Sequence, residues 1–313
     1  MYIIKHLPED FIVTEVPQLS FLKTGKFAIY LLKKRDMNTH TALEAISVHF
    51  KIPLKKIGYA GLKDKCAVTS QYISIPASYS LPDEFSASHY KLSKVGYSVE
   101  RLYPGNLKAN TFTIIVRNIL HAPKTRETCI NYFGEQRFSS HNVAIGRSIL
   151  QKKYEEAAQT IAQCERDFSF DSSNAFSAIQ KLSFSKLRLY LHAYQSWIWN
   201  KCVTEWTKNN SQVNIDETFP LAGFAPTDDS CKEKLINDFL QKDSLKRSDF
   251  ILRQLPGLGM EGGERNIWVK LVDLNIENPV DDVFHDAKKA CTISFTLSKG
   301  SYATECIRQL FDE

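Results

Sequence analysis

In the stretch GYAGLKDKCAVTSQYISI, Gly58 to Ile75, the carboxylate Asp64 stands between Lys63 and Lys65. Nearby ammonium groups favour the ionised form of an acid. An ionised carboxylate on a loop that leaves a strand can serve as nucleophile or general base. Gly58 and Gly61 permit tight turns or close backbone approach by a ligand. A solvated turn between two strands has the same composition, so both readings of Asp64 stand open on this stretch alone.

Three further segments could touch a substrate. NYFGEQRFSSHN, Asn131 to Asn142, interleaves aromatic rings with amides and a guanidinium. Rings stack on nucleobases, while amides and arginines bond base edges and phosphates; buried rings at a strand end would look the same. KHLPEDFIVTEV joins basic, acidic and aromatic residues to an alternating run, which also suits an edge strand with a solvated start. LYLHAYQSWIWN places aromatics at helical spacing, the pattern of a core helix. His192 within it has no companion at HExxH-like spacing, so no metal site is expected. No GxGxxG follows a strand, no Walker A sequence occurs and there is no GxSxG elbow, so no nucleotide cofactor is expected.

The elements that must hold these residues can be read from periodicity. Phe27, Ile29 and Leu31 alternate in KFAIYLLKK, predicting a strand with those three on one face. NTHTALEAISVHF predicts a helix with a Thr41–Glu44 capping box and apolar Leu43, Ile46, Val48 and Phe50. AVTSQYISI and TFTIIVRNI are β-branched strand candidates. From about Ser148 the texture turns helical: ILQKKYEEAAQTIAQ, FSKLRLYLHAYQSWIWNKCVTEWTKN and KEKLINDFLQK. Strand character returns in NIWVKLVDLNI. CTISFTLSKGSYATECIRQLF reads as a strand, a Ser-Lys-Gly turn and a terminal helix. Strands on both sides of a helical centre predict a mixed α/β domain with a helical insertion.

The chain of 313 residues is long enough for one large domain or two ordinary ones. Its formal charge of +5 permits an anionic partner. Residues 151–260 hold equal numbers of basic and acidic side chains, so the whole excess lies outside the helical centre. Seven scattered cysteines without a CxxC pair suggest neither a disulfide framework nor a zinc ribbon and point to a reducing cytoplasm. No apolar stretch of membrane-spanning length is present.

In combination and in this order, PEDFIVTEV, YAGLKDKCAVTSQYISI, NYFGEQRFSSHN, RLYLHAYQSWIWN and SFTLSKGSYATECIRQL resemble the TruD family of pseudouridine synthases. The resemblance implies an α/β (α+β) catalytic domain with a mixed, mainly antiparallel sheet. That domain would comprise residues 1–150 and 261–313, interrupted by a largely helical TRUD insertion at 151–260. It implies isomerisation of a tRNA uridine, at position 13, to pseudouridine, without metal or cofactor; the cysteine usage adds a cytoplasmic setting, and a cleft that must admit tRNA suits a monomer. The target base would be flipped out of its helix to be reached.

Asp64 matches the family's catalytic aspartate; attack on C1′ and elimination through a glycal are both compatible with it. Lys5 resembles the basic residue that pairs with that aspartate and keeps it ionised. Phe11 matches a substrate-contacting aromatic, Asn131 a substrate-contacting amide, and Phe133 the aromatic that stacks on the target base. Tyr302 stands where the family often carries phenylalanine. Arg137 is compatible with holding a phosphate or bracing its loop, and Lys63 and Lys65 with anchoring phosphates or keeping Asp64 ionised. FSSHNVAIG departs from the glycine-rich version of the family. The competing readings are the same chemistry on another tRNA position or RNA, and a non-catalytic RNA-binding or chaperone module.

Overall fold

A computed structural model describes residues 2–139, 141–210 and 212–311. The chain divides into two compact units. The first comprises residues 1–129, 270–303 and 307–313; the second comprises 130–269 and 304–306.

The first unit is built on a ten-stranded sheet. Its leading strands are β1 (Phe11–Pro17), β2 (Phe27–Arg35), β3 (Gly58–Tyr59), β4 (Val68–Pro76), β5 (Glu84–Ser86), β6 (Tyr90–Ser98) and β7 (Leu107–Ile119). The short β8 (Thr128–Ile130) and β11 (Trp268–Lys270) contain the points of division. β12 (Val272–Ile276), β13 (Val280–Asp281) and β14 (Lys289–Ser298) complete the sheet. The order is β12-β14-β7-β1-β4-β2-β6-β5, with β13 on β14 and β3 on β4. β1 and β4 run parallel, with Ile12 opposite Val68; the other pairs are antiparallel. The sheet is therefore mixed and mainly antiparallel, as expected. PEDFIVTEV forms no edge: β1 lies between β4 and β7, and Asp10 is buried.

Helix α1 (Thr39–His49) covers one face of this sheet. Ala42, Leu43 and Ile46 join Ala28, Tyr30 and Leu32 of β2 and Ile73 and Ile75 of β4 in one cluster. The strand thus turns its even-numbered residues to the helix, not Phe27, Ile29 and Leu31; Ile29 is buried on the opposite face. Two-sided burial removes the contrast that a period-two pattern relies on. The Thr41–Glu44 capping box is absent, because the helix starts at Thr39 with Asn38 as N-cap. Thr41 is inside the first turn, and Glu44 pairs with His40 at 3.3 Å. Val48, expected on the apolar face, is 80% exposed. At the far end of the chain, Gly300 (φ 84°) turns β14 into α8 (Ala303–Phe311).

The second unit is largely helical. It contains α2 (Glu135–Phe138), α3 (Asn142–Leu150), α4 (Tyr154–Cys164), α5 (Ala175–Gln180), α6 (Phe184–Asn209) and α7 (Ser230–Lys242). A hairpin of β9 (Thr218–Leu221) and β10 (Gly263–Asn266) completes it. The predicted continuous helix from Ile149 is two helices, broken where Lys152 takes φ 61°. α6 is the axis: Tyr194, Ile198, Trp199 and Cys202 are buried, and Trp199 Nε1 donates to Phe219 O at 3.0 Å. The unit reaches beyond 151–260 because α3 packs on α6 through Gly146, where a Cβ would lie 2.1 Å from Tyr190 O. Among the described residues no helix is long and apolar enough to cross a membrane.

The close α3–α6 approach yields a stability prediction. Gly146→Ala should force the helices apart and cost about 1–3 kcal/mol. Urea unfolding of the variant beside the wild type measures this, and an unchanged midpoint would refute the packing account.

Candidate active site

Parallel pairing of β1 with β4 brings the segments that precede them to the same end of the sheet. Those segments carry Lys5 and Asp64. Lys5 Nζ lies 2.7 Å from Asp64 Oδ2, and the two side chains are 15% and 33% exposed. The carboxylate is therefore paired on one oxygen and still reachable from solvent. The ammonium also sits 4.2 Å above the Phe11 ring centroid. Phe11 is buried and meets Phe112 edge-on, so its visible role is to seat Lys5 through a cation–π contact. Lys5 itself adopts φ 60°, an unfavourable backbone for a lysine, kept only where its surroundings impose it.

The surroundings are a buried charge cluster. On one side of Lys5, Ile3 exchanges backbone hydrogen bonds with Arg117 at 2.9 and 2.8 Å. On the other side, Leu7 N donates to Asp10 Oδ2 at 3.0 Å. Arg117 grips Asp10 with two bonds of 2.8 and 2.7 Å and reaches Asp282 at 3.3 Å. Burial by itself would raise Asp282's pKa. Backbone N–H groups of Asn118 and Phe284, together with His285, outweigh burial and hold it down to about 2. Both flanks of Lys5 are thus tied to Arg117, one through its backbone and the other through Asp10 on its guanidinium.

Two lysines near Asp64 support the loop. Lys63 Nζ is bound to Glu15 at 2.9 Å and to Asn110 at 2.7 Å, with its side chain only 5% exposed. It is a buried brace and does not face an RNA phosphate; Lys65 is the exposed neighbour. Lys34, which shares the buried parity of Tyr30 and Leu32, donates to Asp64 O at 2.8 Å and Met37 O at 2.6 Å. Burial pushes its ammonium down to about 8; Asp64's charge works against the shift and Lys63's charge with it. Gln71 holds Gly61 O at 3.0 Å and receives the Thr39 hydroxyl at 2.9 Å. Gly58 is needed for packing: a Cβ there would lie 2.5 Å from Leu102 O. Tyr302 is half-buried between Gly300 and α8.

In the second unit, Asn131 and Phe133 form a separate cluster. Arg265 donates to Asn131 O at 3.0 Å and Oδ1 at 2.8 Å, and Asn131 Nδ2 donates to Asn266 O at 3.2 Å. The amide is thus engaged in placing Arg265. The Arg265 guanidinium lies 4.0 Å from the Phe133 centroid, and Trp199 meets that ring edge-on. Asn200 fixes the Phe133 backbone through two 3.0 Å bonds. Arg137 braces this loop by donating to Ser196 Oγ at 2.9 Å. Ser140, within FSSHNVAIG, lies outside the described residues.

Sequence reasoning missed Lys34, Arg117 and Arg265. A lysine on the buried parity of β2 and a lone arginine inside the apolar TIIVRNI were visible signals for the first two. Arg265 had none.

An aspartate paired with a lysine where parallel strands of a mixed sheet begin leaves one ionised carboxylate reachable from solvent. The family model of tRNA pseudouridine synthase D (TruD) matches residues 2–171 and 208–310, and the chain belongs to this family. The tRNA pseudouridine synthase D of Aquifex aeolicus is 29% identical over 98% of this chain and 97% of its own length. That of Leptospira interrogans serovar copenhageni is 28% identical over 99% and 96%. A Methanosarcina mazei crystal structure assigned to TruD superposes with a TM-score of 0.76 at 22% identity, covering 98% of this chain and 92% of that one; this likeness is one of fold.

Two predictions follow from the charges around Lys5 and Asp64. Arg117→Met leaves Asp10 and Asp282 buried without their partner and should destabilise the protein by about 3–5 kcal/mol, read by chemical denaturation. Lys34's folded pKa lies below its ordinary 10.5, so between about 8 and that value the unfolded chain holds the extra proton. Stability should rise with pH across this window relative to Lys34→Met. Parallel stability curves for the two proteins would contradict the assignment.

Proposed function

We propose that this protein isomerises uridine 13 of tRNA to pseudouridine, with Asp64 as the catalytic carboxylate. The supporting observation is a partly exposed Asp64 held 2.7 Å from Lys5 on a braced loop. In the reaction the N1–C1′ bond breaks, the uracil turns while held, and C5 bonds to C1′ as the C5 proton leaves and N1 takes one up. The elements of the substrate are all retained, so no redox partner is consumed. What the reaction demands is one carboxylate at the sugar and a grip on the detached base. A nucleophilic attack on C1′ and a glycal route both use that single carboxylate.

The remaining assignments follow the resemblance, refined by the geometry of each unit. Lys5 orients Asp64, and buried Phe11 seats Lys5. Phe133 offers its ring to a base, with Asn131 acting through Arg265. Tyr302 contributes a ring and hydroxyl to substrate contact. Residues 1–150 with 261–313 are the split catalytic domain and 151–260 the TRUD insertion; the protein works as a cytoplasmic monomer on flipped uridine, without metal or cofactor.

The test uses tRNA carrying 5-³H-uridine. Wild type should release tritium, and Asp64→Asn should lose turnover by about 10²–10⁴-fold or more while binding tRNA as wild type does. Carbodiimide mapping should place the product at position 13. An Asp64→Asn enzyme with undiminished tritium release would end the catalytic assignment.

A further inference from the structure

Within the second unit a cavity of about 450 Å³ opens beside Phe133, lined by Arg137, Arg188, His192, Gln195 and Arg265 among others. Its volume falls in the roughly 300–1,000 Å³ range of small-ligand sites. α6 supplies one wall: Arg188, His192 and Gln195 recur at helical spacing and share a face. We propose that this cavity is a subsite for a single nucleotide of the RNA, with the phosphate on Arg137 and Arg188 and a base or ribose donor on His192. The proposal rests on the tRNA reading above and adds roles for Arg188 and His192 to the phosphate contact considered for Arg137.

The lining matches each part of a nucleotide. Arg137 spends Nε on Ser196 and lies 5.4 Å from the Phe133 ring centroid, and Arg188 lies 5.4 Å from the Phe184 ring of its own helix. Neither has a carboxylate partner among the described residues. Arg137 is half-buried, where a guanidinium without a counter-anion is costly to keep; a phosphate would satisfy it, and exposed Arg188 would add charge-assisted bonds. Gln195 commits its amide N–H to Ala222 O at 2.7 Å, which turns Oε1 toward His192 Nδ1 at 3.0 Å. The imidazole must therefore carry its proton on Nδ1. Burial, helped by the charges of Arg137 and Arg188, pushes its pKa down, so the ring is neutral at pH 7. Nε2 is then a lone-pair acceptor for an N–H or a 2′-hydroxyl. Two carboxylates, Glu261 and Glu264, also line the cavity, and both are exposed. Against three guanidiniums they leave a single positive charge, suited to one phosphate and not to a run of them.

The experiment measures tRNA affinity of the full chain by fluorescence anisotropy at several salt concentrations, alongside KM and tritium release. Arg188→Gln, an exposed position, should weaken binding and raise KM by about tenfold and lower the salt slope by about 0.7–0.9. His192→Phe, checked for folding by thermal melting, should weaken binding without changing the salt slope. Lys208→Gln, a charge removed elsewhere on α6, should bind as wild type. Arg188→Gln with wild-type affinity and slope, or Lys208→Gln with an equal loss, overturns the subsite; so does a wild type that does not bind tRNA. Arg188-dependent binding without tritium release from wild type would leave the subsite standing and remove the catalytic reading. Tritium release with Arg188-independent binding would do the reverse.

Discussion

Everything proposed for the first unit depends on one ion pair, Lys5 with Asp64. The partners are distant in sequence, and the lysine backbone is strained where it must bend to reach the acid. Such a contact persists only if the rest of the structure over-determines it. It does so through the parallel β1–β4 pair, which aligns the two segments, and through Arg117, which ties down the chain on both sides of Lys5. A pair exposed this far would be worth little as a stabilising contact. Its value lies in fixing where a reachable carboxylate points.

The cations near Asp64 divide by burial. Lys63 and Lys34 are spent inside the protein, on Glu15 and Asn110 and on two backbone carbonyls. They hold the loop and leave Lys5 to hold the carboxylate. The same economy appears in the second unit, where Asn131 and Asn200 have their side-chain polar atoms bonded within the protein. Two residues offered by the sequence as substrate contacts are also engaged within the protein. Asn131 places Arg265, and Phe11 seats Lys5.

Most elements were legible because their periodicity was undisturbed. α6 spans the segment read as helical, and β14, its turn and α8 follow the expected sequence. Failures came where a tertiary contact replaced a local rule. Thr39 gives its hydroxyl to Gln71, the helix starts ahead of the expected capping box, and β2 is buried on both faces so that parity lost its meaning. The α3–α6 contact through Gly146 draws α3 into the helical unit, which no compositional change at Ser148 could reveal.

By itself the sequence determined the family, the alternation of strands and helices, and the identity of Asp64 and Lys5 as residues to watch, because long motifs and periodicities are properties of the chain. Only the tertiary structure decided that Lys5 reaches the carboxylate at 2.7 Å, that Lys63 is a brace, and that Arg117 and Arg265 are bonded to distant segments. Those facts depend on distances between segments far apart in the chain. Strand order and side-chain burial set those distances, and no spacing within a single motif encodes them.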